Sequence, residues 1–169
     1  MRVLALSRAE EIYYLDTSAL VKRYVEEAGS EVVDSIYECA YKGVKTLSFS
    51  YWNIAEAVVV FDKYARKLGL DAGRVVRDML GEFMTLSRLH RLVVVSVSPS
   101  ILRSSIELVL KHHIYVADAL QIASAKKVNS SIVVTGDKEL ASIAEAEGLK
   151  TLYVGIQSQK ETDTLYDVG

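Results

Sequence analysis

Short apolar runs rich in β-branched residues alternate along this chain with longer segments of helical periodicity, and this alternation restricts the possible folds most strongly. The short runs are predicted strands, and they cover Ile12–Leu15, Thr46–Phe49, Leu92–Val97, Ser131–Thr135 and Thr151–Val154. They are apolar instead of alternating cleanly with polar residues, which is typical of strands covered on both faces. The alternation therefore predicts an α/β layered fold with a central, mostly parallel sheet of four or five strands.

Helical periodicity predicts about seven helices around this sheet. The predicted helices cover Ser18–Glu26, Ser30–Tyr41, Ser50–Leu68, Asp71–His90, Ser100–His112, Val116–Val128 and Lys138–Glu147. Gly69 follows the third of these directly, at a position where glycine commonly ends a helix.

Length and composition predict a single domain. The chain has 169 residues, half of them hydrophobic, and no linker rich in glycine or serine divides it. We expect the domain to cover residues 1–155 and a polar tail to cover residues 156–169. No apolar run reaches the ~18 residues that a membrane span needs, and the N-terminal apolar stretch is too short for a secretory signal. The single cysteine excludes an intramolecular disulfide and fits a reducing compartment, so a cytoplasmic protein is expected.

Four isolated carboxylates, each set in an apolar segment, form the strongest functional signal. They are Asp16, Glu56, Asp118 and Asp137. An ionised carboxylate among hydrocarbon groups is unfavourable unless a helix terminus, a basic side chain or a cation compensates its charge. Lys138 is the only basic residue next to any of the four. A shared divalent metal ion is therefore the sharpest hypothesis, and it predicts hydrolysis of a phosphodiester.

Three of the four carboxylates also have a simpler structural interpretation. Asp16, Asp118 and Asp137 stand at or near predicted helix starts, where aspartate often caps the helix. A non-catalytic α/β binding module, in which these acids are only caps, is therefore an alternative to an enzyme.

Glu56 resists this interpretation because it lies in the middle of a predicted helix. It falls opposite the predicted core-facing stripe, which consists of Ile54, Val58, Phe61, Ala65 and Leu68. Its own side of the helix carries Trp52, Val59 and Val60, so the helix reads as apolar all round and Glu56 as partly buried. The alternative for Glu56 is a protonated or water-linked glutamate in the core.

Two of the acids are expected at one edge of the sheet. Asp16 follows the first predicted strand and Asp137 follows the fourth, and ligands of open α/β sheets bind outside the carboxyl ends of the strands. Carboxylates that are brought together repel one another, which raises their pKa values. A bound Mg²⁺ or Mn²⁺ supplies positive charge that offsets this repulsion. Such a site can activate water for hydrolysis, with either one ion or two.

The segments that carry the acids read Tyr14-Leu15-Asp16-Thr17-Ser18, Ala55-Glu56-Ala57, Ala117-Asp118-Ala119-Leu120 and Val134-Thr135-Gly136-Asp137. Together, in this order and spacing, they resemble the PIN-domain ribonucleases from about Ile12 to Val154, and most nearly the VapC-type toxins of toxin–antitoxin pairs. The resemblance implies a PIN-like layered fold and a Mg²⁺- or Mn²⁺-dependent endoribonuclease.

Carried over by position, Asp16, Glu56, Asp118 and Asp137 resemble the acidic quartet of the family, which holds the metal. Thr135 resembles the hydroxyl residue beside the last acid, and Thr17 or Ser18 is a candidate to hydrogen-bond a ligand carboxylate or a metal-bound water. Residues 1–10 precede the point at which many members of the family begin.

The resemblance also implies partners: an RNA substrate, an antitoxin protein that covers the acidic cleft, and a second copy of the chain in a homodimer. The second face of Ser50–Leu68 and the helix Asp71–His90 are candidate contact surfaces. The formal charge of −2 does not by itself favour nucleic-acid binding, so RNA contact requires a local basic patch, for which Lys22 and Arg23 are the best candidates.

Other functions are less well supported by the sequence. A PIN domain that acts in rRNA maturation or RNA quality control, and not as a toxin, remains an alternative. The glycines form neither a dinucleotide-binding nor a P-loop motif. His112 and His113 lack the further histidines or cysteines that a transition-metal site needs.

Overall fold

The structure is a computed structural model, and it describes residues 11–156. Residues 1–10 and nearly all of the predicted polar tail, residues 157–169, lie outside the described residues. The predicted domain boundaries therefore stay predictions.

A single five-stranded parallel sheet forms the centre of the fold, and the predicted α/β class is confirmed. The strands are β1 (Ile12–Leu15), β2 (Thr46–Ser50), β3 (Leu92–Val95), β4 (Ile132–Thr135) and β5 (Thr151–Tyr153). Their order in the sheet is β3-β2-β1-β4-β5, so the chain moves outward from β1 in both directions. All the carboxyl ends lie at one edge, and the switch in strand order falls at β1, where open α/β sheets place their ligands.

Seven helices connect the strands within residues 11–156. They are α1 (Thr17–Val21), α2 (Ser30–Tyr41), α3 (Tyr51–Leu68), α4 (Ala72–Arg88), α5 (Pro99–His112), α6 (Val116–Lys127) and α7 (Lys138–Ala146). No helix in this part of the chain is long and apolar enough to cross a lipid bilayer.

The first helix is shorter than predicted, since it ends at Val21 and not at Glu26. Tyr24 and Val25 pack against the apolar cluster beneath α3 and α4. Arg23 turns toward the neighbouring helices and donates to Asp34 at 2.6 Å. These tertiary contacts are more favourable than further helical turns, so α1 ends before Tyr24.

Both faces of the sheet are covered, as the apolar strands predicted. Consecutive residues of a strand point to opposite faces, and Tyr14 and Leu15 accordingly belong to different core clusters. Tyr14 packs with residues of α5, α6 and α7, whereas Leu15 packs with residues of α2. A third cluster, around Phe49, Phe61 and Met79, lies beneath α3 and α4.

The predicted core stripe of α3 is wrong in part. Its buried residues are Asn53, Ala57 and Phe61. Val58 and Val59 are 39% and 54% exposed, so α3 is not buried on all sides as its apolar sequence predicted. A polar residue, Asn53, occupies one of the fully buried positions because it has partners on other elements that helical periodicity does not reveal.

Glu147, just after α7, joins three helices through cationic side chains. Its carboxylate accepts hydrogen bonds from Lys111 Nζ and His112 Nε2, both at 2.7 Å, and from Lys126 Nζ. The hydrogen bond from His112, followed by those from Lys111 and Lys126, lowers the pKa of Glu147 to about 2. The histidine and the two lysines here therefore act in the scaffold.

The substitution Glu147→Gln should lower the melting temperature most at neutral pH. A carboxyl group whose pKa is depressed by folding stabilises the protein above its unfolded-state pKa of 4.5, and this contribution disappears as the pH falls toward about 2. The difference in Tm between wild type and variant should therefore narrow below pH 4.5. Thermal melts from pH 7 down to about pH 3 measure it. Glu107→Gln, an exposed acid on α5, is the control, and a gap that is undiminished at the lowest pH would contradict the prediction.

Candidate active site

All four predicted carboxylates line one cavity of about 360 Å³ at the carboxyl edge of the sheet. Asp16 lies between β1 and α1, and Asp137 between β4 and α7. Glu56 projects from α3 and Asp118 from α6. The complete lining consists of Asp16, Thr17, Ser18, Val21, Glu27, Glu56, Val60, Tyr64, Asp118, Gln121 and Asp137.

Asp16 is the most buried of the acids, with 2% of its surface exposed. Its Oδ1 caps α1 by accepting from the amide of Ala19 at 2.7 Å, as the capping interpretation predicted. Ser18 Oγ lies 2.7 and 2.9 Å from the two carboxylate oxygens, and Thr135 Oγ1 donates to Oδ2 at 2.6 Å. Burial raises the pKa of Asp16 to about 6, against the lowering effect of the hydrogen bonds from Thr135 and Ser18. Asp16 is therefore a cap and also a cavity-lining acid.

Thr135 does not line the cavity, but it links two of the acids. It is fully buried at the end of β4. Its hydroxyl donates to Asp16 and accepts from the amide of Asp137 at 3.0 Å. The hydroxyl thus couples the acid after β1 to the acid after β4.

Asp137 is exposed and caps α7. Its Oδ1 accepts from the amides of Glu139 at 2.8 Å and Leu140 at 3.2 Å. The capping interpretation holds for this acid too, although its carboxylate also faces the shared cavity.

Asp118 is not a helix cap. The N-cap residue of α6 is Tyr115, which makes no capping hydrogen bond through its side chain. Within residues 11–156 the carboxylate of Asp118 accepts no hydrogen bond. Burial, together with the negative charges of Asp137, Glu56 and Glu139, raises the pKa of Asp118 to about 6. This acid therefore experiences the field of its neighbours without a compensating partner.

Glu56 is half-buried, as predicted, and two donors converge on one of its oxygens. Thr17 Oγ1 donates to Oε2 at 2.6 Å, and Gln121 Nε2 donates to the same oxygen at 3.3 Å. Thr17 and Ser18 thus each hydrogen-bond one of the predicted carboxylates.

The donor set of the cavity fits a hard divalent cation. Its lining offers carboxylate and hydroxyl oxygens, which Mg²⁺ and Mn²⁺ prefer, and among the described residues it includes no lysine, arginine or histidine. The side chains are not arranged as a ready coordination sphere. In the described part of the chain, no three Asp, Glu, His or Cys side chains are placed to share one ion. Asp16, Glu56 and Asp137 are each held by hydrogen bonds to the protein.

The two basic residues predicted to contact RNA are both engaged within the protein. Lys22 is 8% exposed and pairs with Glu27 at 2.9 Å. Arg23 forms ion pairs with Asp34 and Glu82 and lies over the ring of Tyr37, 4.9 Å from its centroid. Arg23 is thus a scaffold residue that ties the end of α1 to α2 and α4.

Sequence reasoning missed two buried amides at the cavity: Gln121, which is part of its lining, and Asn53, which hydrogen-bonds Gln121 from below. Each lies three residues from a predicted acid on the same helix, Asn53 before Glu56 and Gln121 after Asp118. That spacing places each amide on the same helical face as its acid, and it was the one available signal.

Comparisons with known proteins agree with this architecture. A family model described as PIN domain matches residues 13–146. Comparison with curated protein sequences finds no significant match.

Three solved structures share the fold at low sequence identity. PAE2754 from Pyrobaculum aerophilum is 20% identical, with 83% of each chain covered and a TM-score of 0.58. VapC20 from Mycobacterium tuberculosis, a toxin that cleaves the sarcin–ricin loop, is 15% identical, with 77% of this chain and 93% of that chain covered and a TM-score of 0.57. VapBC2 from Rickettsia felis, bound to a DNA fragment from its promoter, is 19% identical, with 84% and 98% covered and a TM-score of 0.60.

Proposed function

The chain belongs to the PIN-domain family of nucleases, and on this premise we propose that it is a Mg²⁺- or Mn²⁺-dependent endoribonuclease that hydrolyses RNA phosphodiesters. The observation that carries the proposal is the lining of one cavity by Asp16, Glu56, Asp118 and Asp137. In the described residues, no basic side chain of that lining neutralises them. A divalent cation would supply the missing positive charge and join the site to a phosphate group.

The four carboxylates would hold the ion directly or through water. A bound Mg²⁺ or Mn²⁺ supplies activation of the attacking water and neutralisation of charge on the phosphate and leaving oxygen. Thr135 and Ser18 hold Asp16 by hydrogen bonds, and Thr17 holds Glu56. Asp118, which lacks such a partner in the described chain, is the carboxylate most free to orient a water or to follow an ion.

Millimolar Mn²⁺ should raise the melting temperature of the metal-free protein. An ion that binds only the native state at about 100 times its Kd stabilises it by about 2.7 kcal/mol. For a domain of this size that corresponds to a rise of roughly 5–10 °C. Excess chelator should abolish both the rise and RNA cleavage.

Thermal melts with and without Mn²⁺ test this expectation, with Glu107→Gln as a matched control that removes an acid outside the cavity. The control should keep the full shift. Cleavage that persists in excess chelator would overturn the metal dependence. A wild type with neither shift nor cleavage would favour the non-catalytic binding module.

We further propose that the protein acts in the cytoplasm as the toxin of a toxin–antitoxin pair. Of the three similar structures, VapC20 is a toxin that cleaves the sarcin–ricin loop, and another is VapBC2 bound to promoter DNA. An antitoxin would cover the acidic cavity. Expression of this chain should therefore arrest growth of the host cells, and co-expression of the product of an adjacent small gene should relieve that arrest. The absence of both growth arrest and an adjacent gene would favour a role in rRNA maturation or RNA quality control.

A homodimer is part of the same proposal. Exposed apolar side chains occur on both candidate contact helices: Val58 and Val59 on α3, and Leu80 and Met84 on α4. Light scattering of the purified chain measures the state of association, and a monomer at micromolar concentration would overturn the dimer.

A further inference from the structure

Three buried neutral residues, Thr17, Asn53 and Gln121, form one hydrogen-bonded unit beneath the carboxylates, here called the polar cluster. They are 9%, 0% and 4% exposed. Each lies close to one of the predicted acids in its own helix: Thr17 directly after Asp16, Asn53 one turn before Glu56, and Gln121 one turn after Asp118. Burial of such groups is unfavourable unless they are hydrogen-bonded, so their mutual contacts determine whether the arrangement is stable.

The polar cluster joins α1, which Asp16 caps, to α3 and α6, which carry Glu56 and Asp118. Asn53 Nδ2 donates to Gln121 Oε1 at 2.5 Å and to Thr17 Oγ1 at 3.2 Å. Gln121 Nε2 donates to Thr17 Oγ1 at 3.2 Å, and the amide of Thr17 donates to Gln121 Oε1 at 3.3 Å. Each member contacts both others, so a shift of α1, α3 or α6 disturbs the whole unit.

The orientation of Asn53 is determined by donors on its other side. Its Oδ1 accepts from Tyr14 Oη at 3.0 Å, from the amide of Ser50 at 2.8 Å and from Ser50 Oγ at 2.6 Å. The Asn53 amide group must therefore point its two protons toward Thr17 and Gln121. This in turn places the oxygen of Gln121 toward Asn53 and its protons toward Thr17 and Glu56.

The chain of hydrogen-bond donors and acceptors ends at the carboxylate of Glu56. The hydroxyl of Thr17 accepts from both amides, so its single proton is available for Glu56 Oε2, 2.6 Å away. Gln121 Nε2 is the second donor to the same oxygen. The other carboxylate oxygen, Oε1, receives no hydrogen bond from the described residues and is left for the cavity.

We propose that Asn53 and Gln121 are positioning residues of the nuclease site: both act through Thr17 to hold Glu56, Gln121 also donates to Glu56 directly, and together they maintain the spacing of Asp16, Glu56 and Asp118. This inference deepens the proposed function and rests on it. The competing interpretation is a polar cluster that only stabilises the core. The two differ in their effect on metal affinity, since residues that orient metal ligands typically change affinity or activity about 10–100-fold.

Two substitutions remove the hydrogen bonds while keeping side-chain volume: Gln121→Met and Thr17→Val. Thr17→Ser retains the hydroxyl and is the conservative rescue. Ile122→Ala is the stability control, because Ile122 is 1% exposed on the same helix and belongs to an apolar core cluster. Each full-length variant is titrated with Mn²⁺ in thermal melts, which gives an apparent Kd, and is assayed for kcat and KM on a fluorogenic RNA.

Gln121→Met and Thr17→Val are expected to weaken Mn²⁺ affinity and lower kcat by about 10–100-fold with little change in KM. Thr17→Ser should restore both parameters to near the wild-type values. Ile122→Ala should melt earlier and keep its affinity for Mn²⁺. If Gln121→Met does not fold, the comparison of Thr17→Val with Thr17→Ser decides whether the polar cluster positions Glu56.

Wild-type Mn²⁺ affinity and kcat in folded Gln121→Met and Thr17→Val would overturn the positioning role, and so would an equal loss in Ile122→Ala. Failure of the proposed function is visible separately, in a wild type that neither binds Mn²⁺ nor cleaves RNA. In that case crystal structures of wild type and Thr17→Val decide: an unmoved Glu56 carboxylate overturns the inference, and a displaced one supports it.

Discussion

Asp118→Asn is expected to abolish metal-dependent RNA cleavage while leaving the protein folded. Asp118 lines the shared cavity and accepts no hydrogen bond within the described chain, so its substitution breaks no contact of the scaffold. The negative charges of Asp137, Glu56 and Glu139 act on it unfavourably, and a neutral asparagine relieves that repulsion. We therefore expect an unchanged or higher Tm together with a fall in kcat of at least about 100-fold, as when one group that stabilises transition-state charge is lost.

Steady-state cleavage of RNA in Mn²⁺ and thermal melts of the same preparations measure the two effects. Glu107→Gln removes one negative charge from an exposed position on α5 and should change neither. Cleavage by Asp118→Asn at the wild-type rate would remove this acid from the mechanism. A loss of activity accompanied by a loss of folding would instead assign Asp118 a role in the scaffold.

The positions of the strand-end acids could be predicted because they follow from chain topology. Once β1 and β4 are recognised as parallel strands, Asp16 and Asp137 must lie at the same edge of the sheet, and no knowledge of packing is needed. The strands themselves were predictable because they are short, mostly apolar runs that lie between longer segments of helical periodicity and are too short to be helices.

The details of α3 and α6 could not be obtained in the same way. The apolar residues of α3 outnumber the positions that face the core, so hydrophobic periodicity selected Val58, which is exposed, and passed over Asn53, which is buried. Likewise, proximity to a helix start favoured a capping role for Asp118, whereas the N-cap residue of that helix is Tyr115. The core-facing side of each helix depends on contacts with other elements.

The polar cluster is the clearest example of a feature beyond the reach of sequence patterns. Gln121 and Thr17 are 104 positions apart, and Asn53 and Gln121 are 68 apart. Amides carry no charge and contribute no hydrophobic period, so each residue alone reads as an ordinary polar position. Only the contact of α1, α3 and α6 makes them partners.

Among the glycines of residues 11–156, Gly29 is expected to show the largest loss of stability on substitution by alanine. Gly29 is the N-cap residue of α2 and has φ +88°, a left-handed conformation that costs other residues about 1–2 kcal/mol. A Cβ there would also lie 1.9 Å from the carbonyl oxygen of Val154, a backbone atom. The amide of Val154 is bound to Thr135 in β4 at 2.8 Å, so the clash cannot be relieved without disturbing the strand that leads to Asp137.

The expected loss for Gly29→Ala is about 2–5 kcal/mol, which combines the conformational cost with that of overpacking. Gly69→Ala is the matched control, because Gly69 has φ +70° and an added Cβ would meet nothing within 4 Å. It should lose only about 1–2 kcal/mol. Urea unfolding of both variants measures the difference, and equal losses would show that the contact between Gly29 and Val154 does not restrict the chain. A Gly29→Ala protein that remained folded should also lose cleavage activity, because displacement of β5 is transmitted through Thr135 to both Asp16 and Asp137.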